Sequence, residues 1–130
     1  MTIQRISSGS KFEDLAAYSR AVVDDRYVHV SGTVGIDRRT GTIPDDVTQQ
    51  MRNILGIVEV TLADLGLDFS DVVRNRVYLT SGDSLMEVAA ILRERFETCP
   101  PANTTLICGI PAPGAKVEIE VTARLRPKQD

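Results

Sequence analysis

The sequence predicts one α+β domain spanning residues 1–130, a mixed β-sheet with two helices packed on one face. Three observations predict it. Two stretches repeat their apolar residues at helical spacing, several others alternate as strands do, and the two kinds are interleaved along the chain. Strands interrupted by single helices are joined most simply by right-handed crossovers. A length of 130 residues suits one compact domain with a core of its own.

In chain order, a strand is possible near "TIQRI", and "AAYSRAVVDDRYVHVSG" reads as two strands around the turn Asp24-Asp25. In the second of these, Tyr27, His29 and Ser31 share one side, and Val28 and Val30 the other. "GIDRRTGTIPDD" is a loop broken by Gly41 and Pro44. Val47, Met51, Ile54, Leu55, Val58, Leu62 and Leu65 then form one apolar stripe on a long helix. Asp45 or Asp46 can cap its start, and Gly66 fits the position after its end. "DVVRNRVYLT" follows as a strand with Val73, Asn75, Val77 and Leu79 on one side. "SLMEVAAILRERF" places Leu85, Val88, Leu92 and Phe96 on one helical face, with Ser84 and Glu87 in a capping-box pattern. Pro100 and Pro101 stop that helix. "TTLICG" and "KVEIEVTARLR" are the closing strands, and the tail "PKQD" is expected to fray. Two helices cover only one sheet face, so the bare face predicts self-association.

Composition narrows the function classes. Hydrophobic residues make up 42% and charged residues 25%, ordinary globular values that exclude a disordered chain. No apolar run approaches the ~20 residues of a membrane helix, and "MTIQRISSGS" lacks the apolar core of a signal peptide, so a cytoplasmic protein without a membrane partner is expected. The net charge of −3 and the lack of a basic block argue against a nucleic-acid partner. Two cysteines and one histidine do not make a common metal set. Cys108 lies in an apolar run and is expected as a small core residue. His29 has no evident partner nearby in sequence and is expected as a half-buried strand residue. Alternation puts Glu118 and Glu120 on one side of the last strand, ~7 Å apart. Spacing alone leaves both readings open, a solvated face or a carboxylate working in a cleft.

Several segments together resemble the RidA group (YjgF/YER057c/UK114) of reactive intermediate deaminases. "AYSRAV" is similar to that family's "PYSQAV". "VHVSGTVGIDRRTGTIPDDVTQQ" resembles its strand–loop–helix signature, and "DVVRNRVYLT" resembles a strand that commonly reads "VVKTTVFL". "PPAN" is similar to its "PAR" corner, and "KVEIEVTA" to its closing strand. The resemblance runs through nearly the whole chain in order. It implies a chorismate-mutase-like mixed sheet, a homotrimer, and ligand clefts between neighbouring subunits. The implied activity is hydrolysis of enamines and imines, such as 2-aminoacrylate, to keto acids and ammonia without a cofactor. Carried over by position, Glu120 matches the water-orienting Glu, Tyr18 the pocket Tyr, and Ser31 and Gly32 the "SG" of the loop. Asn103 stands where the family has a carboxylate-binding Arg, Thr105 where Cys is frequent, Thr33 where "SGQ" has Gln, and Ala89 where many members carry Asn.

Asn103 is the departure with the largest chemical consequence. Arg offers a fixed charge and a planar fork, whereas Asn offers a neutral amide. Hydrogen bonds to charged groups contribute ~1.5–3 kcal/mol, against ~0.5–1.5 for neutral ones. A carboxylate in the cleft would lack its counter-charge. The sequence therefore predicts a hydrolase retuned away from simple 2-imino acids, with Tyr18, Ser31, Gly32, Asn103 and Thr105 binding substrate. Arg20 is weighed as a substitute clamp against a plain surface role. The alternative is a trimer that binds a small molecule or a partner without catalysis. The ribonuclease activity attributed to some family members is the weaker reading, because the acidic balance gives it no support.

Overall fold

The computed structural model describes residues 2–127, so all of the expected fraying tail except Pro127 lies outside the described residues. Six strands form one sheet: β1 (Gln4–Ile6), β2 (Ala21–Val23), β3 (Tyr27–Val34), β4 (Val72–Leu79), β5 (Ala102–Ile107) and β6 (Val117–Arg124). Their spatial order is β1-β2-β3-β6-β4-β5, antiparallel throughout except for the parallel pair β4–β5. Helices α1 (Lys11–Ala16), α2 (Val47–Ala63) and α3 (Leu85–Phe96) complete the chain. The α+β architecture agrees with the sequence, with three helices in place of two.

The long helices form for the reasons the sequence gives. Asp46 accepts a hydrogen bond from Gln49 N at 3.2 Å and caps α2. Beyond its end, Gly66 takes a left-handed φ of 73°, and Leu67 N donates back to Leu62 O at 2.9 Å. The stripe from Val47 to Leu62 is buried against β3 and β6, whose Val28, Val30, Val117, Ile119 and Val121 supply the opposite wall. Each such aliphatic side chain contributes ~1.5–3 kcal/mol when fully buried. Gln50 is also wholly buried within α2. Its Nε2 donates to Pro44 O and Gly114 O, and its Oε1 accepts from Lys116 N, so one amide ties together the two loops beside β6. Gly35 leaves room for this helix: a Cβ there would lie 2.5 Å from Gln50 Cα.

Several expectations need correction. The segment before β2 is not all strand. Ser10 accepts from Glu13 N and starts the short α1, and β2 is confined to three residues. Burial alone would raise the Glu13 pKa, but hydrogen bonds from Ser8 and Ser10 and the charge of Arg20 outweigh it and hold it down at about 2. Ser84 makes no capping hydrogen bond. It sits in right-handed helical geometry inside a 3-10 turn (Gly82–Ser84) that Ser81 caps instead. Val73 is exposed because β4 bulges between Val72 and Arg74, which turns Val72 inward. On α3, Leu85 is largely exposed, and Ile91 joins Val88 and Phe96 in the core. Cys108 is exposed, because β5 is an edge strand and its end has no covering layer in the single chain. His29 is exposed and paired, its Nε2 lying 2.8 Å from Asp24 Oδ2.

Candidate functional site

The sheet carries two clusters of polar side chains on opposite faces. The first surrounds a bulge between β3 and β6. Val30 pairs with Val121 and Thr33 with Ile119, so Ser31 and Gly32 together stand opposite the single residue Glu120. A bulge leaves backbone groups without ladder partners, and a buried carbonyl needs one. Arg20 supplies it: Nη2 donates to Ser31 O at 2.8 Å and to Gly32 O at 2.9 Å. Arg20 is only 9% exposed, and its Nε has no partner among the described residues. Burial lowers its pKa, with Tyr18 and Glu13 pulling the other way. Both the surface role and the substitute-clamp role considered for Arg20 therefore give way to a structural one. Ser31 Oγ is likewise committed, donating to Ser19 O at 2.7 Å, and buried Thr33 donates to Ser31 O at 2.9 Å.

Gly32 brings a carboxylate close. A Cβ at that position would lie 3.0 Å from Glu118 Oε2, so a side chain there would press the end of the Glu118 side chain aside. Burial raises the Glu118 pKa, Arg20 opposes that, and Glu120 adds to it. Glu120 itself faces the sheet surface that no helix covers. Arg76 lies directly across from it on β4, with Nη1 3.9 Å from Glu120 Oε1. The Tyr78 hydroxyl donates to the same oxygen, and that contact raises the Tyr78 pKa. Oε2 of Glu120 has no protein donor among the described residues. A carboxylate held by one oxygen and open at the other is suited to accept a proton from water. Tyr18 sits 40% exposed in the turn before β2, two residues from Arg20, with its backbone N bonded to Glu13 O.

The second cluster lies on the helix-covered face at the β5 edge. Asn103 pairs in register with Asn75, and Thr105 with Val77. Asn75 also pairs with core-facing Val121, so Asn75, Asn103 and Thr105 share the core side. Asn103 Nδ2 donates to Asn75 Oδ1 at 2.5 Å, and Thr105 Oγ1 donates to Asn103 Oδ1 at 3.0 Å. A groove of about 460 Å³ opens above them, walled by Leu85, Val88, Leu92 and Phe96 of α3 and floored by Pro101 and the three polar residues. Ala89 lines the same groove. The positions where the resemblance places Arg, Cys and Asn thus converge here as Asn103, Thr105 and Ala89.

The structure therefore brings Asn103 and Thr105 together, and places Ser31 and Gly32 beside Glu118 and across from Glu120. It does not join the two groups within one chain, because the sheet lies between them. Asn75, Arg76, Tyr78 and Glu118 were not assigned site roles from the sequence. The strand that commonly reads "VVKTTVFL" held the signal: against it, Asn75 and Arg76 replace Thr and Tyr78 replaces Phe. Among the described residues, no group of three or more His, Cys, Asp or Glu could hold a metal ion, and no helix is long and apolar enough to cross a membrane.

Comparison with known proteins adds a separate line. The family model described as endoribonuclease L-PSP matches residues 8–125. A rat 2-iminobutanoate/2-iminopropanoate deaminase is 31% identical over 123 residues, covering 93% of this chain and 90% of its own. A solved Mycobacterium tuberculosis member of the YjgF/YER057c/UK114 family superposes with a TM-score of 0.84 at 35% identity, over 95% of this chain and 99% of that one. A Yersinia pestis member of the Rid protein family superposes with a TM-score of 0.84 at 25% identity, over 95% and 99%.

Proposed function

The chain belongs to the endoribonuclease L-PSP family, which includes the YjgF/YER057c/UK114 (RidA) proteins, and we propose that it is a homotrimeric imine and enamine hydrolase with sites shared between neighbouring copies. The observation that carries this reading is the placement of Asn103 and Glu120 on opposite faces of one sheet. A single site using both must take the Asn103 groove from one copy and the Glu120 face from another.

In that cleft Glu120 Oε2 accepts a proton from water, and the water oxygen attacks the C=N carbon. The carbon–oxygen bond forms as the C=N π electrons move to nitrogen, which takes up a proton. The carbinolamine hydroxyl then gives up its proton, which passes by way of Glu120 to the nitrogen, and cleavage of the C–N bond releases the carbonyl product and ammonia. Tyr78 holds Oε1, so the carboxylate keeps its orientation through the cycle. Ser31 and Gly32 shape the wall beside it, and Tyr18 closes the cleft rim. Asn103 and Thr105 bind the substrate on the other side. The rat relative is named for 2-imino acids. Asn103 gives this chain no fixed cation at the family's clamp position, so its substrate is not a simple 2-imino acid.

Light scattering tests the trimer, and a panel of imines released in situ tests the chemistry. Hydrolysis of a non-carboxylate imine that falls to background in Glu120→Gln supports the hydrolase. Turnover unaffected by that change excludes Glu120 as the water-orienting group. A monomer removes the shared cleft. If no imine is turned over, the remaining reading is a binding protein that keeps the cleft without catalysis.

A further inference from the structure

Asn75 is a polar side chain with only 3% of its surface exposed, lining the groove beside Asn103 and Thr105 and opposite the apolar side chains of α3. Its Oδ1 is used by Asn103, and its Nδ2 makes no hydrogen bond among the described residues. Asn103 accepts one hydrogen bond from Thr105 and gives one N–H to Asn75. A primary amide carries two N–H donors, so the second N–H of Asn103 is also uncommitted. Three N–H donors of this amide pair remain uncommitted, against one further lone pair on each amide oxygen, so donors predominate. The remaining walls are the side chains of Leu85, Val88, Leu92 and Phe96 with the ring of Pro101. Among the described residues, the charged groups lining the groove are Arg93 and Glu97, which face each other at 3.8 Å on the exposed last turn of α3. They leave no net charge for an ion to meet.

We infer that Asn75 and Asn103 form a two-residue recognition site for a neutral carbonyl-type oxygen attached to a short apolar tail. An anionic ligand would exchange its hydration for dipoles alone, without a counter-ion, and binding would suffer for it. A neutral carbonyl loses far less hydration and meets the same donors. The apolar walls then take up its alkyl portion, in a volume within the ~300–1,000 Å³ usual for small-molecule sites. Asn75 is the specificity residue in this arrangement: it orients Asn103 and supplies the deeper donors. The inference rests on reading the groove as half of the substrate cleft, and it names the substrate class as imines and enamines bearing an amide, ketone or similar uncharged acceptor in place of a carboxylate.

The test uses the intact protein and an isosteric probe pair, butyramide and butyrate, titrated at pH 7 while side-chain amide resonances are followed by NMR. Butyramide is expected to bind roughly tenfold more tightly than butyrate and to move the side-chain amide signals of both Asn75 and Asn103. Asn75→Leu, which keeps the branched shape in a larger side chain and removes the donors, is expected to weaken butyramide by about five- to tenfold and to leave butyrate unchanged. Asn75→Thr, smaller and matching the family strand, gives the same direction should Leu disturb the packing. Butyrate binding as tightly as butyramide in the unmodified protein overturns the inference without any variant. So does butyramide affinity unchanged in both Asn75 variants. The readout is equilibrium binding, so it separates from the hydrolase reading. Butyramide selectivity without turnover of any imine removes the hydrolase and keeps the groove's specificity. Glu120-dependent turnover without butyramide selectivity does the reverse.

Discussion

At the β3–β6 seam, Arg20 is buried and its Nη2 is spent on two backbone carbonyls. At the β4–β5 edge, Asn103 stands exposed with part of its amide uncommitted above an open groove. Both were candidates for handling a ligand's polar head. The difference is set by local backbone geometry. A bulge creates buried carbonyls that must be paired, and the nearest strong donor is drawn into that task. A regular parallel edge creates no such demand on its inward side chains, which remain available to a ligand.

Substitutions can break this contrast, beginning with the largest expected effect. Arg20→Met should destabilise the fold by about 3 kcal/mol, because it strands the carbonyls of Ser31 and Gly32 in a buried setting. Asn103→Ala should cost less than about 1 kcal/mol, since it removes neutral hydrogen bonds at an exposed edge. Urea unfolding measures both, and equal losses would erase the distinction between a committed and an available residue. Asn103→Arg should raise 2-aminoacrylate hydrolysis by about tenfold or more with little change in stability, and a folded trimeric variant that gains nothing would show that other parts of the pocket have diverged as well.

Smaller effects sharpen the picture around the two carboxylates. Tyr78→Phe should change stability by less than about 1 kcal/mol while lowering the rate constant of turnover more than substrate affinity, because the hydroxyl only steers Glu120. A stability loss above that range, with kinetics unchanged, would make Tyr78 structural. Glu118→Gln should give a slight rise in Tm at pH 7. The sign follows from burial: the folded pKa of Glu118 lies above its unfolded value, so the folded state carries a cost at neutral pH that fades as pH falls through the folded pKa and is gone below about 4.5. The gain in Tm should therefore vanish in mild acid. A variant less stable at pH 7 would mean that attraction to Arg20 outweighs desolvation.

Much of the fold was legible because long elements advertise their period. The α2 stripe from Val47 to Leu62 and the alternation in β6 and in β3 up to Val30 match the observed burial, although Gln50, Ile57 and Thr61 are buried beside the stripe and Leu65 lies beyond the helix, only partly buried. Short elements and irregularities do not repeat long enough to be read. Two Ser-x-x-Glu patterns show the limit: Ser10 caps α1, whereas Ser84 sits already inside a helical turn and cannot act as a cap. Val73 leaves the face that its alternation with Asn75 predicts, because the bulge between Val72 and Arg74 makes it the extra residue. For the candidate site, the positions gathered in the groove were legible from the family resemblance. The division of Asn103 and Glu120 between two faces was not, since strand order and register set it and neither is written in any one segment.

The central claim is that one working site needs two copies of the chain. It is tested most directly by mixing two chains, each carrying half of a 2-aminoacrylate site. One is the unmodified chain, which has Glu120 and lacks the cationic clamp. The other is Asn103→Arg combined with Glu120→Gln, which has the clamp and lacks the carboxylate. The two are co-expressed with different tags, and the mixed oligomers are isolated. Background hydrolysis of 2-aminoacrylate is expected from either chain alone, and clear activity from the mixed oligomers. Mixed oligomers at background, under conditions where Asn103→Arg alone is active, would contradict it.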